Sequence, residues 1–360
     1  MTVKQLPLYQ RIANDIQDQI KSNSFVYDEP ICTEKSLCEK YHVSRITAKH
    51  AITKLEGQGI LYRKRGQGSF VSKPIIQGAP KRTFALLIPF KTTVGGAFWM
   101  VEAVNQVFGK LGHHLTTHLC KINPADNVEL LEGLFNKHMD GIVYYPTDSS
   151  LPLDALDAFV QHNKPVIILD KPTTHSQFTS ILCDNYRGGY LLAEHLLSYG
   201  HSRMCFLSRS KPEELPNVWD RYKGYEDCLA ASGVNAKPRF AHWDTTGEEQ
   251  TRYYLLQHLV NTLHQEGVTA ILCENDIAAF NVHMCCQNLG LRVPEDMNIT
   301  GFDNNEWATT GNAQITTVDQ NFAIIGSTVA KVLLEEDYKP RNHIIPVSFI
   351  PRKSTGKAFR

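Results

Sequence analysis

Residues 41–72 read YHVSRITAKHAITKLEGQGILYRKRGQGSFVS, and the hydrophobic period changes partway along them. In the first part Ser44 stands as a helix cap, Ala51, Ile52 and Leu55 fall on one helical face, and Gly57 or Gly59 ends the run. From Ile60 the pattern becomes two short alternating runs about a glycine-containing turn, which predicts a β-hairpin. Upstream, after a turn region around Tyr27 to Pro30, Thr33 and Glu34 open a short helix through Tyr41 that turns Leu37 and Tyr41 inward. Further back, Leu8, Ile12, Ile16 and Ile20 recur at every fourth residue behind Pro7, an amphipathic helix with proline in its first turn. Two short helices joined by a tight turn make a helix-turn-helix candidate.

On the exposed side of the third helix Ser44, Arg45, Thr47, Lys49 and His50 gather toward the N-terminus. That end of a recognition helix meets base edges in the major groove, where arginine bonds guanine through two hydrogen bonds. Arg63, Lys64 and Arg65 are expected at the hairpin tip, with Gly66 and Gly68 allowing close approach to a sugar-phosphate surface. The charge balance points the same way. The 360 residues hold 37 Lys+Arg and 37 Asp+Glu, yet through Lys73 there are twelve basic and seven acidic residues, leaving 25 and 30 beyond it. A head of +5 and a body of −5 suit a nucleic-acid module joined to a different domain. A small helical domain with a solvated basic face would explain the charge alone, but not the order of three helices and a basic hairpin.

That order, with the segments PLYQRIANDIQDQI, TEKSL, YHVSRITAKHAITKLEGQGILY and RGQGSFV, resembles the winged helix-turn-helix domain of the GntR family of bacterial repressors. The resemblance implies DNA contacts from Thr33, Glu34 and Lys35 at the start of the second helix, from Arg45, Thr47 and Lys49 on the third, and from a wing tip spanning Gly66 to Ser69. ICTEK in place of the usual Leu-Pro-Ser-Glu-Arg, and Lys49-His50 in place of an arginine-rich pair, bear on which operator is read.

SKPIIQGAPKR, Ser72 to Arg82, has little periodicity and reads as a linker, set at 73–82 between a head at 1–72 and a body at 83–360. In the body the apolar runs FALLIPF, GIVYY, PVIILD, MCFLS and AILC alternate with helical stretches around Met100 to Lys110, Asn127 to Met139 and Gly188 to Tyr199. Buried parallel sheets in two α/β lobes are expected, making the chain α/β overall with an α+β head. Ligands of such sheets bind beyond the carboxyl ends of the strands. Those ends deliver Asp170, Asn275 with Asp276, and Asp303 with Asn304, while Phe98, Trp99 and Trp243 are aromatics available to stack on a ring, a set suited to a sugar or polyol. Capping of the next helix is the alternative role for strand-end Asp and Asn, Asp276 above all. Arg221 offers a guanidinium fork for two adjacent hydroxyls or a phosphate, or else an interlobe salt bridge.

The motifs MDGIVYYP, KPVIILD, DNYRGGYLLAEHLLSYGH, DRYKGY, TAILCENDIAA, LRVPEDMNITGFDN, QITTVDQ and FIPRKST resemble the effector-binding domain of the LacI/GalR repressors, which has the periplasmic-binding-protein-like fold. The resemblance implies that Asp170, Arg221, Asn275 and Asp303 bond effector hydroxyls and that an aromatic near Trp243 stacks on the ligand. It also implies a first lobe near 83–180 plus 322–339 and a second near 181–321 plus 340–360. Asn304 stands where a second Asp usually follows Gly-Phe-Asp, one carboxylate fewer for the ligand. The hybrid plan resembles that of the arabinose repressors.

Nine cysteines without a C-x-x-C pair read as reduced structural thiols, and His113, His114 and His118 lack acidic or cysteine companions, so neither metal nor cofactor is expected. No phosphate-cradling, nucleophile-elbow or zinc-protease motif suggests an enzyme. With no apolar run of membrane-spanning length and no secretory signal, a cytoplasmic, nucleoid-associated protein is expected. The expected function is a sequence-specific repressor of carbohydrate-utilisation genes: a homodimer on double-stranded operator DNA, released by a small sugar. An activator, a corepressor-dependent regulator and a bare sugar-binding module are the alternatives.

Overall fold

The recurrence from Leu8 to Ile20 folds as helix α1 (Leu8–Lys21), which buries Ile12, Ala13 and Ile16 and leaves Leu8 exposed. The computed structural model describes residues 7–21, 30–57, 60–64, 68–71, 81–89, 96–121, 124–146, 153–173, 175–211, 214–234, 237–244 and 247–358. They belong to two compact units, Met1–Pro80 and Lys81–Arg360.

In the first unit strand β1 (Pro30–Cys32) begins where a turn was expected to end. Helix α2 (Glu34–Tyr41) opens with a capping box in which Thr33 Oγ1 accepts from the Ser36 amide at 3.0 Å and Ser36 Oγ accepts from the Thr33 amide at 2.8 Å. Helix α3 (Arg45–Gly57) follows Ser44, whose hydroxyl accepts from the Thr47 amide at 3.3 Å. The hairpin forms from β2 (Leu61–Lys64) and β3 (Gly68–Val71), antiparallel with Leu61 opposite Val71 and Lys64 opposite Gly68. Strand β1 pairs on the other side of β3, so β3 is central. Ile12, Ile16, Leu37, Ala51, Ile52, Leu55 and Leu61 close one small core under the hairpin.

The second unit has two lobes. In the first, β4 (Thr83–Pro89), β5 (His114–Cys120), β6 (Ile142–Tyr144), β7 (Val166–Leu169), β8 (Thr179–Cys183) and β14 (Asn342–Ile345) form a parallel sheet in the order β14-β8-β7-β6-β4-β5. Helices α4 (Ala97–Leu111) and α11 (Phe322–Leu333) bury one face of it, and α5 (Val128–Asn136) with α6 (Leu153–Gln161) the other. In the second lobe β9 (Met204–Ser208), β10 (Phe240–His242), β11 (Ala270–Cys273) and β12 (Asn298–Thr300) are parallel in the order β10-β9-β11-β12. Helices α7 (Asn185–Ser198) and α8 (Pro216–Ala231) cover one face, and α9 (Glu249–Gln265) with α10 (Asp276–Asn288) the other. Strands β13 (Thr317–Asp319) and β15 (Ser348–Ile350) pair antiparallel beside this lobe.

The expected lobe boundaries need one correction. Because β14 pairs with β8, residues 181–183 and 342–345 belong to the first lobe, not the second. The cause is legible only in three dimensions: Asn342–Ile345 is a short edge strand with alternating exposure, and nothing in four residues declares which sheet it joins. All nine cysteines are unpaired and eight are buried. Among the described residues no helix is long and apolar enough to cross a membrane.

Candidate functional site

On the head, two arginines share one anchor. Glu34, in the first turn of α2, accepts from Arg45 Nε at 2.8 Å and lies 3.5 Å from Arg63, which in turn donates to Glu56 at 3.1 Å. The Arg45 hydrogen bond holds the Glu34 carboxyl below its ordinary range. Arg45 nevertheless leaves 83% of its side chain in solvent. Lys35, Ser44 and Lys49 are exposed nearby in sequence, and Thr47 is half-buried with its hydroxyl 2.9 Å from that of Ser44. The N-terminal end of α3 therefore presents several donors at once.

The body places its charges inside. Helices α7 and α8 cross so closely that a Cβ on Gly189 would come within 2.0 Å of the Arg221 carbonyl oxygen, and one on Gly224 within 2.1 Å of that of Tyr186. This close approach seats Arg221 at the cleft, where Nε donates to Asn185 Oδ1 at 2.8 Å and Nη1 to the Glu274 carbonyl at 2.6 Å. Nη1 also lies 3.8 Å from Asp303 Oδ1, and the guanidinium sits 3.7 Å over the Phe302 ring. One helical turn earlier, Asn217 Nδ2 reaches across to the first lobe and donates to Asp170 Oδ2 at 2.9 Å, which also accepts from Lys171 at 2.7 Å. Glu274 accepts from Arg209 Nε at 2.5 Å and from the Ser208 hydroxyl.

Three features mark this cleft as built for a ligand. Asp170 and Asp303 stand at positive φ, 60° and 114°, a backbone conformation that concentrates at functional sites. Asp170 Oδ1 and Asn217 Oδ1 are buried yet accept no hydrogen bond among the described residues. Burial lifts the Asp303 carboxyl to about 6, against the opposing pull of Arg221 and Gln320. At the mouth, Phe98 and Trp99 pack edge to face at the start of α4 and line, with Asn304, Asn305, Glu306, Thr309 and Arg352, a concavity of about 440 Å³.

Residues 8–71 match the model of bacterial regulatory proteins of the gntR family, and residues 193–355 match a periplasmic binding protein-like domain. The chain is 26% identical over 343 residues to an arabinose metabolism transcriptional repressor of Geobacillus stearothermophilus, covering 93% of this chain and 92% of that protein. A repressor of the same description from Halalkalibacterium halodurans is 23% identical, covering 97% of each. Among solved structures, a LacI family transcriptional regulator from Enterococcus faecium with bound ribose superposes with a TM-score of 0.66 at 22% identity, over 77% of this chain and all of that one. The chain joins a GntR-type DNA-binding head to a periplasmic-binding-protein-like body, the plan of a transcriptional regulator.

In this regulator several expected site residues take other places. Ser69 is 2% exposed, lying in the central strand between Arg63 of β2 and Cys32 of β1. Arg63 and Lys64 lie within β2 rather than at a tip, Gly68 is in β3 with φ of 115°, and Arg65 and Gly66 fall outside the described residues. Trp243 is 8% exposed in the second-lobe core, its indole N–H donating to the Arg252 carbonyl at 3.0 Å, so packing and not stacking on a ligand is its role here. Asn275 caps α10, accepting from the Ala278 amide at 2.9 Å. The cap was expected from Asp276. That carboxylate is instead fully buried, accepting from the Asn305 amide and the Thr317 hydroxyl.

The structure brings Asp170, Arg221 and Asp303 together as the sequence suggested, and adds Asn185, Asn217, Glu274 and Gln320. Glu274 was within reach of the strand-end rule, since it directly follows AILC. Asn217 was within reach of helical spacing, standing four residues before Arg221.

Proposed function

We propose that this regulator is a repressor of carbohydrate-utilisation genes, dimeric on its operator and released when a small neutral sugar binds between the lobes. The carrying observation is a pair of buried, unused acceptors, Asp170 Oδ1 and Asn217 Oδ1, in a cleft whose charges already balance. Asp170 is matched by Lys171, Glu274 by Arg209 and Asp303 by Arg221. A phosphate would bring uncompensated charge and further acceptors, whereas sugar hydroxyls donate to the two oxygens that lack a donor. The relatives described as arabinose metabolism repressors and the ribose-bound neighbour support the same ligand class. Such a repressor acts in the cytoplasm, at the nucleoid.

Release requires that the sugar bind the DNA-free form better than the DNA-bound form, typically by about 1–3 kcal/mol, or about 5–150-fold. Mobility shift of the regulator on DNA from its own upstream region tests this against L-arabinose, D-ribose, D-xylose and D-glucose beside their phosphate esters. Release by a neutral sugar is the expected result. Release by phosphate esters alone, or by none of the panel, would sink the reading, and tighter binding with sugar would make the sugar a corepressor.

A further inference from the structure

At 81%, Ile46 is the most exposed large apolar side chain among the described residues. It stands second in α3, and the buried stripe of that helix runs along the other side, through Ala48, Ala51, Ile52 and Leu55. Its neighbours three and four residues on, Lys49 and His50, are exposed on the same face, and Arg45 beside it leaves 83% of its side chain in solvent. An isoleucine in that place contributes nothing to the core of the head. Its branched Cβ also leaves it few rotamers to lose when a partner covers it. The partner must suit the cations around it, since Lys35, Arg45 and Lys49 are all exposed. Duplex DNA meets those charges with phosphates, whereas an apolar protein surface would leave them unpaired.

In the major groove an isoleucine neither donates nor accepts a hydrogen bond, so it cannot read the amino, carbonyl and ring-nitrogen groups of the bases. The apolar feature on offer there is the C5 methyl of thymine. Consecutive Cα atoms are about 3.8 Å apart, close to the roughly 3.4 Å between successive bases of one strand, so Arg45 and Ile46 reach neighbouring base pairs. We infer that Ile46 reads a thymine methyl in the operator, within about two base pairs of the guanine that Arg45 contacts. The inference rests on the recognition-helix reading of the head and adds a second base to it.

Selection of duplexes from a random pool by the full chain supplies the operator sequence. Each thymine of the selected site is then replaced singly by uracil, which deletes the methyl and keeps the hydrogen-bonding edge. Fluorescence anisotropy at one salt concentration gives the affinities of the wild type, Ile46→Ala, Ile46→Val and Arg45→Ala. In the wild type at least one replacement is expected to weaken binding about fourfold, the factor that one buried methyl supplies. That thymine should lie within about two base pairs of the guanine whose replacement Arg45→Ala no longer senses. In Ile46→Ala the same replacement should cost less than about 1.5-fold, with Ile46→Val keeping most of the loss. No sensitive thymine, a sensitive thymine far from that guanine, or a sensitivity that survives Ile46→Ala would overturn the role of Ile46 and leave that of Arg45 standing. A selection that returns no common sequence, or an Arg45→Ala variant as discriminating as the wild type, would overturn the recognition-helix reading and this one with it.

Discussion

Arg45 and Arg221 each face a carboxylate, yet 83% of the first side chain meets solvent and only 6% of the second. An exposed ion pair such as Arg45–Glu34 is screened by solvent and contributes little, so the pair holds the guanidinium in place without competing seriously with a guanine. Arg221 is held by Asn185, by the Glu274 carbonyl and by Asp303, and it rests on Phe302. There the same chemical group is a fixed part of the wall. The head keeps its donors available for DNA, whereas the interior of the cleft ties up the Arg221 donors and leaves two acceptors, Asp170 Oδ1 and Asn217 Oδ1, open.

The largest effect should come from breaking the buried side of that contrast. Removing one partner of a buried charge cluster leaves the others uncompensated, so Arg221→Ala is expected to cost about 3–5 kcal/mol. In a body of this size that lowers the melting transition by roughly 6–20 °C, read by calorimetry. Arg221→Lys should recover little, since an ammonium cannot serve Asn185 and the Glu274 carbonyl from a fixed planar fork. A body transition unmoved in both variants would mean that the network is ornamental.

Breaking the exposed side should do the reverse. Arg45→Ala is expected to leave the melting transition nearly unmoved and to lower specific operator affinity by about 5–150-fold. Binding to unrelated DNA should fall much less, because phosphate attraction is shared among many cations. Titration of operator and random duplexes at one salt concentration separates the two. Equal losses on both would reduce Arg45 to a phosphate contact.

The contrast also explains how much could be read from the residues alone. The head is local: the Thr33 cap, the buried stripe of α3 and the β2–β3 hairpin each rest on neighbours within a few positions, so period and turn chemistry sufficed. What failed there was Ser69, whose burial depends on β1 joining the sheet from a distant segment. The strands and helices of the body were legible for the same local reason. The cleft was only half legible. Its members stand at 170, 185, 217, 221, 274, 303 and 320, and their pairing follows from the crossing of α7 over α8 that Gly189 and Gly224 permit. Trp243 looked like a ligand platform because an aromatic near a strand end has no local mark to say which way it points. Phe98 and Trp99, by contrast, leave most of their surface in solvent.

A smaller effect should follow pH. Burial raises Asp303 to about 6 in the folded chain, above the ordinary 3.8. The folded body therefore takes up a proton that the unfolded chain releases, so this group's stabilising contribution is full below 3.8 and is lost as pH rises through about 6. A sugar hydroxyl donating to the carboxylate favours its charged form. Sugar affinity is then expected to rise with pH through that range, by up to about tenfold for each unit by which the ligand lowers the Asp303 value. Calorimetry from about pH 5 to 8 reads the slope. Asp303→Asn should flatten it, and an unchanged slope in that variant would assign the proton to another group. Among its described residues the head has no such buried carboxylate, so operator affinity without sugar should not follow the same curve.

The smallest expected effect is the sharpest check on the head. Ser69 lies among the residues a wing would offer to DNA, but it is 2% exposed in the central strand, with Arg63 opposite it on β2. Ser69→Ala should leave operator affinity within about twofold, well under the roughly tenfold that 1.4 kcal/mol supplies. Arg63→Ala is the companion measurement. Its side chain is 39% exposed and is tethered to both Glu34 and Glu56, so its removal should weaken binding and lower the salt slope by about one phosphate contact. If Ser69→Ala proved the more damaging of the two, β3 would have to turn its buried side outward on DNA, and the division between an exposed reading surface and a sealed core would not hold in the head.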